Sequence, residues 1–167
     1  MKMLKYVVLM VCLSIVISCD DNDDDCTICL EEAEKERVVS FVNAAIAHID
    51  AVGVQAAYSD FSVPNPKPEF IDGELYIFVI NIKNIGIQNI IMEANGADDS
   101  LIGTNIYDLE GKRGKMLVQD FAEVVNNSEQ NGWSTYHWNH PLTDEIKEKH
   151  SYLVKVGDLI VGAGLYE

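Results

Sequence analysis

Apolar residues recur at three- and four-residue steps between Leu30 and Val52: Val38, Phe41, Val42, Ala45, Ile46 and Ile49 share one stripe. That is the spacing of a helix with one face against a core. Acids crowd its first turns (Glu31, Glu32, Glu34), where the helix dipole favours them. Gly53 follows as a C-terminal stop. A second, short helix is predicted over 54–61, after which Pro64, Pro66 and Pro68 force an extended loop. From Leu75 to Ile82 the period changes to two. Leu75, Ile77, Val79 and Asn81 alternate with Tyr76, Phe78, Ile80 and Ile82, so a central strand covered on both faces is expected. A return strand is predicted over Ile85 to Met92 and a loop over Gly96 to Ser100. The basic turn Lys112-Arg113-Gly114-Lys115 reads as solvated, and an amphipathic helix runs from Leu117 to Asn127.

The C-terminal third is richest in β-forming residues. Alternation over Asn131 to Asn139 places Ser134, Tyr136 and Trp138 on one face, and Trp133, Thr135, His137 and Asn139 on the other. Pro141 removes a backbone donor and should end the pairing. Two more β-branched runs, Lys147 to Val156 and Val161 to Tyr166, flank a Gly157-Asp158 turn and read as an antiparallel hairpin.

The first 18 residues change the picture of where the chain resides. Lys2 and Lys5 precede an apolar run from Tyr6 to Ile17, which reads as a signal peptide too short to span a bilayer comfortably. Val16-Ile17-Ser18-Cys19 resembles the lipobox of bacterial lipoproteins, which makes Cys19 the expected lipidation site and membrane attachment point. Residues 19–34 then form an acidic tether containing a CxxC. Asp21, Asp23, Asp25 and Glu32 have the spacing of a calcium loop, but Cys26 stands where the turn needs glycine. Cys26 and Cys29 are a candidate disulfide; a redox dithiol and half a metal site are the other readings.

The full chain of 167 residues carries a formal charge of −15, and loss of residues 1–18 leaves 10 basic against 27 acidic residues. That balance argues against nucleic acid, because phosphate contacts need a clustered basic surface. No nucleophile motif, phosphate loop or dinucleotide fingerprint occurs, so no catalytic residue and no cofactor is expected. Of His48, His137, His140 and His150, none forms a helical metal pair. His137-x-x-His140 lacks a carboxylate at usual spacing, and no metal is expected there.

The ordered series of motifs resembles a known family. Gly132-Trp133-x-x-Tyr136-x-Trp138-x-x-Pro141, Lys149-x-Ser151-Tyr152 and Gly162-Ala163-Gly164-x-Tyr166 look like the single Cache domain, an extracytoplasmic PAS-like sensor module. Ala51-Val52-Gly53, Ala56 to Phe61, Gly73 to Val79, Leu101 to Asn105 and Asp108 to Lys112 resemble its earlier segments in order. The resemblance spans roughly residues 35–167. It implies an α+β fold, with the long N-terminal helix packed on an antiparallel sheet of five to six strands. It also implies a pocket between the curved sheet and its covering loops, holding a small organic acid or similar metabolite. Tyr76, Phe78, Tyr136 and Trp138 are then the expected walls, Lys149 the cation and Tyr152 a second phenol. Two departures are plain: where the family often carries an Asp after the first strand and a His-Pro after the second, this chain has Asn81-Ile82-Lys83-Asn84 and Ile91-Met92-Glu93-Ala94. The expected protein is a lipid-anchored, non-enzymatic sensor or capture lipoprotein of the cell envelope, on the periplasmic or surface face of the outer membrane. Its partners would be a small carboxylate and a separate signalling or envelope protein. An envelope interaction module that docks through the same sheet is the alternative.

Overall fold

The computed structural model describes residues 23–167, with side chains from Glu31 onward. The signal peptide and Cys19 lie outside the described residues, and the Cys26 and Cys29 side chains lie outside those described. The first helix, α1, runs from Asp23 to Val52 and so starts seven residues before the predicted start at Leu30. The CxxC segment, expected in the tether ahead of this helix, is part of the helical backbone.

After Gly53, whose N–H returns to Ile49 O at 2.9 Å, α2 covers Val54–Phe61 as expected. The predicted strand over 75–82 divides. Ile71–Asp72 (β1) and Leu75–Tyr76 (β2) form a small hairpin, and Phe78–Asn84 (β3) enters the main sheet. The return strand begins late, β4 being Asn89–Asn95; Ile85–Ile87 forms a 3-10 turn with Ile87 exposed. Apolar character alone misled there, since nothing covers Ile87. Helix α3 is shorter than expected, Leu117–Val124. Asn131–Asn139 (β5), Ile146–Val156 (β6) and Leu159–Tyr166 (β7) complete the sheet.

The five strands are antiparallel in the order β4-β3-β7-β6-β5. The sheet is sandwiched, and the alternation of β3 shows how. Leu75, Ile77 and Val79 join Val38, Val42, Ala45, Ile49 and Phe61 in a core beneath α1 and α2. Tyr76, Phe78 and Ile80 join Met92, Ile106, Leu117, Val118 and Phe121 beneath α3 and the segment 96–116. That segment, with α3, forms the cover. A latch fastens it to β5: Lys115 Nζ lies 2.8 Å from Asp120 Oδ1 and donates to Thr135 O at 2.9 Å, while Ser134 donates to Asp120. Lys115, read from sequence as part of a solvated turn, is thus engaged by its neighbours.

Candidate functional site

The register of β5, β6 and β7 builds the floor beneath the cover. Tyr136 pairs with Lys149, which pairs with Tyr166 on its other side; Ser134 pairs with Ser151, and Ser151 with Gly164. These side chains share the cover-facing side. Further along, Phe78 crosses Gly162 on β7. A Cβ at Gly162 would lie 2.5 Å from Phe78 Cζ and 2.8 Å from Leu153 Cδ2, so only glycine lets that ring lie flat on the sheet. At Gly164 a Cβ would run into the His150 carbonyl and the Ser151 hydroxyl. The Gly-Ala-Gly run therefore clears the floor for aromatic side chains.

Lys149 is the unusual residue. It is 1% exposed, and its Nζ lies 3.9 Å from the Tyr76 ring centroid, 4.9 Å from Tyr166 and 5.7 Å from Phe78. Among the described residues no carboxylate lies within ion-pairing distance of it. Burial lowers its pKa from 10.5 to about 7, opposed only by the field of Glu74. Glu74 is itself committed elsewhere: it accepts from Tyr166 N–H at 2.9 Å and from His140 Nε2 at 2.7 Å. Burial pushes the Glu74 carboxyl up, but those two donors hold it below its ordinary value. Burial also raises the phenols of Tyr76, Tyr136 and Tyr166, keeping all three as neutral donors. Tyr76 and Tyr166 hydroxyls stand 3.3 Å apart, Tyr166 donates to Asn139 O at 3.0 Å, and Tyr136 meets Ser151 Oγ at 3.0 Å.

Between floor and cover lies a cavity walled by Tyr76, Phe78, Met92, Asn95, Phe121, Tyr136 and Trp138, together with Leu101, Ile106 and Leu109 of the cover. Its free volume is about 30 Å³, room on the scale of a water molecule or two. The rings of Phe78, Phe121 and Tyr136, spaced 5.9 Å and 5.3 Å along the row, occupy the rest. Lys112 Nζ stands 5.3 Å over the ring of Trp138, one of the cavity's walls.

Of the residues singled out from sequence, Tyr76, Phe78, Tyr136 and Trp138 line this cavity together, and Lys149 sits against two of its walls. Tyr152 does not join them. Lys149 lies within the regular part of β6, so parity sends Tyr152 to the opposite face, where it packs 5.3 Å from Trp133 beside the helix-side core. Sequence reasoning passed over Met92, Asn95, Phe121 and Glu74. Only the amphipathic stripe of α3 hinted at Phe121, and nothing local marks the other three.

The sequence profile of the Cache domain matches residues 67–167. No curated protein matches the chain. Among solved structures, a methyl-accepting chemotaxis protein from Vibrio parahaemolyticus is similar at 19% identity and TM-score 0.65, over 82% of this chain and 90% of that one. A Cache chemosensory domain described for carboxylic acid recognition aligns at 19% identity and TM-score 0.64, over 87% of this chain and 98% of its own. The periplasmic sensor domain of a chemotaxis protein gives 21% identity and TM-score 0.57, over 81% and 91%.

Proposed function

Because the chain belongs to the Cache domain family, we propose that it is an extracytoplasmic, non-enzymatic ligand-binding module that takes a small carboxylate. The observation that carries this reading is Lys149. A lysine with no counter-ion among the described residues, under three aromatic rings and beside neutral phenols, is costly unless an anion completes it. A carboxylate between Tyr76, Tyr136 and Trp138 would gain that cation, phenol donors and apolar walls together. The solved Cache domain described for carboxylic acid recognition supports the same ligand class. Tyr152, on the other face, has no part in the proposed site.

A space of about 30 Å³ does not admit even acetate without displacement, so binding requires the cover to yield. Met92 is the adaptable wall, and segment 96–116 is the part with least regular structure. The ligand is therefore coupled to the position of the cover and of the Lys115–Asp120–Ser134 latch, a ready means of passing a signal to a separate protein. Cys19 would carry the lipid that holds the domain at the cell envelope, with Cys26 and Cys29 closing a disulfide near the tether. Among the described residues no helix is long and apolar enough to cross a membrane.

The test is a thermal-shift screen of acetate, propionate, pyruvate, succinate and amino acids. Saturation at one hundred times Kd should stabilise the domain by about 2.7 kcal/mol. The water-scale cavity favours one other reading, a non-enzymatic envelope module that docks a protein on this sheet. A screen with no stabilising small molecule would support that reading and reject the first.

A further inference from the structure

The face of the sheet opposite Lys149 gathers a second set of chemical groups, and they come from places far apart in the sequence. Strand parity turns Glu148 and His150 away from the cavity. His137 of β5 pairs in register with Glu148, and Thr135 with His150. Beyond β7, the Glu167 N–H bonds Glu148 O at 3.0 Å and brings the Glu167 side chain to the same spot.

We propose that Glu148, His150 and Glu167, with His137 beside them, form a binding site for a divalent transition-metal ion such as Zn²⁺. One ligand atom from each of the first three lies within 4.8 Å of the others. His150 Nε2 stands 3.1 Å from Glu167 Oε1 and 3.5 Å from Glu148 Oε1, and His137 Nε2 stands 3.8 Å from Glu148 Oε2. Ligands bonded to zinc at about 2.0–2.2 Å in a tetrahedron are separated by about 3.3–3.6 Å. The two distances from His150 Nε2 fall close to this, and all three ligand atoms lie within 4.8 Å of one another, so small side-chain adjustments would complete the geometry.

Two further observations separate a metal site from an ordinary surface ion pair. His150 is 30% exposed as a side chain, but its Nε2 atom is shielded from water and makes no hydrogen bond, although the Glu167 and Glu148 carboxylates lie within ion-pairing distance of it. Coordination to a cation would give that nitrogen the partner it lacks. The other ring nitrogen, Nδ1, is engaged by Thr135 Oγ1 at 2.9 Å, the kind of outer contact that fixes the orientation of a metal-ligating imidazole. With Nδ1–H donating to Thr135, the Nε2 lone pair is left for a cation. His150 and Glu167 line an open groove of about 550 Å³ together with Glu31, Glu34, Lys35 and Trp133, so a bound ion would keep positions open to solvent, and the Lys35 ammonium in that groove is paired with Glu31. Mixed imidazole and carboxylate donors favour zinc and its neighbours over calcium, which takes oxygen alone.

The experiment uses the full chain, stripped with EDTA, and titrates Zn²⁺ calorimetrically, with Co²⁺ as a spectroscopic probe. One equivalent should bind, at least about 10–100-fold more weakly in His150→Ala and in the exposed-site variant Glu148→Gln. Circular dichroism of both variants in EDTA confirms that they fold, and Glu148→Gln carries the test if His150→Ala does not. A Cys26→Ser/Cys29→Ser variant should bind as the parent does, and the Co²⁺ spectrum should lack thiolate charge-transfer bands. Absence of Zn²⁺ binding, affinity unchanged in Glu148→Gln, or binding lost with the two cysteines would each overturn the proposal.

Discussion

Replacing Lys149 with methionine should make the protein more stable, and more so at pH 6 than at pH 9. The side chains are similar in length, and the thioether would rest against the Tyr76, Phe78 and Tyr166 rings that now surround the amine. Lowering the lysine pKa from 10.5 to about 7 corresponds, at about 1.4 kcal/mol per pH unit, to at most about 5 kcal/mol. Cation–π attraction to the rings, about 0.5–2 kcal/mol each, and local relaxation offset part of this. A gain of about 1–3 kcal/mol at pH 6 is therefore expected. The sign follows from proton counting. Between about pH 7 and 10.5 the unfolded chain holds the Lys149 proton and the folded chain does not, so stability rises with pH across that window. The penalty is complete below pH 7 and fades above it. The groups facing the amine are the Tyr76 and Tyr166 phenols, both raised, and the more distant Glu74 carboxylate; the phenols begin to matter only near pH 10. Urea denaturation followed by tryptophan fluorescence from pH 6 to 9.5, in EDTA, measures the difference between the two proteins at each pH. A variant less stable than the parent at pH 6, or a difference that does not shrink with pH, would refute the reasoning.

Two other substitutions test the scaffold. Gly162→Ala should cost about 1–3 kcal/mol, because its Cβ must displace Phe78 and Leu153 from the floor; a shift in urea midpoint at constant m-value measures it. Glu74→Gln should cost about 1–3 kcal/mol at pH 7 through its bonds to Tyr166 N–H and His140. Since the folded carboxyl titrates below its unfolded value, that loss should shrink as pH falls through the depressed range, checked by denaturation at pH 7 and pH 3.5.

Local pattern carried much of the fold. The α1 stripe, the Gly53 stop, the two-sided alternation of β3 and the Gly157-Asp158 turn all follow from periods and turn chemistry that neighbouring residues determine, and the structure has each of them. The parity of Tyr136 and Trp138 was legible for the same reason. What escaped was decided by packing at a distance. Ile85 and Ile87 have strand character, but only Ile85 packs against the cover-side core while Ile87 is exposed, and the chain turns there. Lys149 and Tyr152 differ in strand parity and could share the pocket only if Lys149 preceded the regular strand; β6 already includes Lys149 and so assigns them opposite faces. That Lys149 is buried depends on rings contributed from positions 76, 78 and 166, and that Glu74 is engaged depends on His140. The Glu148–His150–Glu167 cluster likewise exists only because β7 returns beside β6. No spacing along the chain announces it.

The central claim is that the enclosed Lys149 amine receives an anionic ligand beneath the cover. Calorimetric titration of the C2–C4 carboxylate panel into the parent protein and Lys149→Met, at pH 6 in EDTA, tests it most directly. The account predicts saturable binding of at least one carboxylate to the parent and none to the variant. Equal affinity in both proteins, or no binding to either, would contradict it.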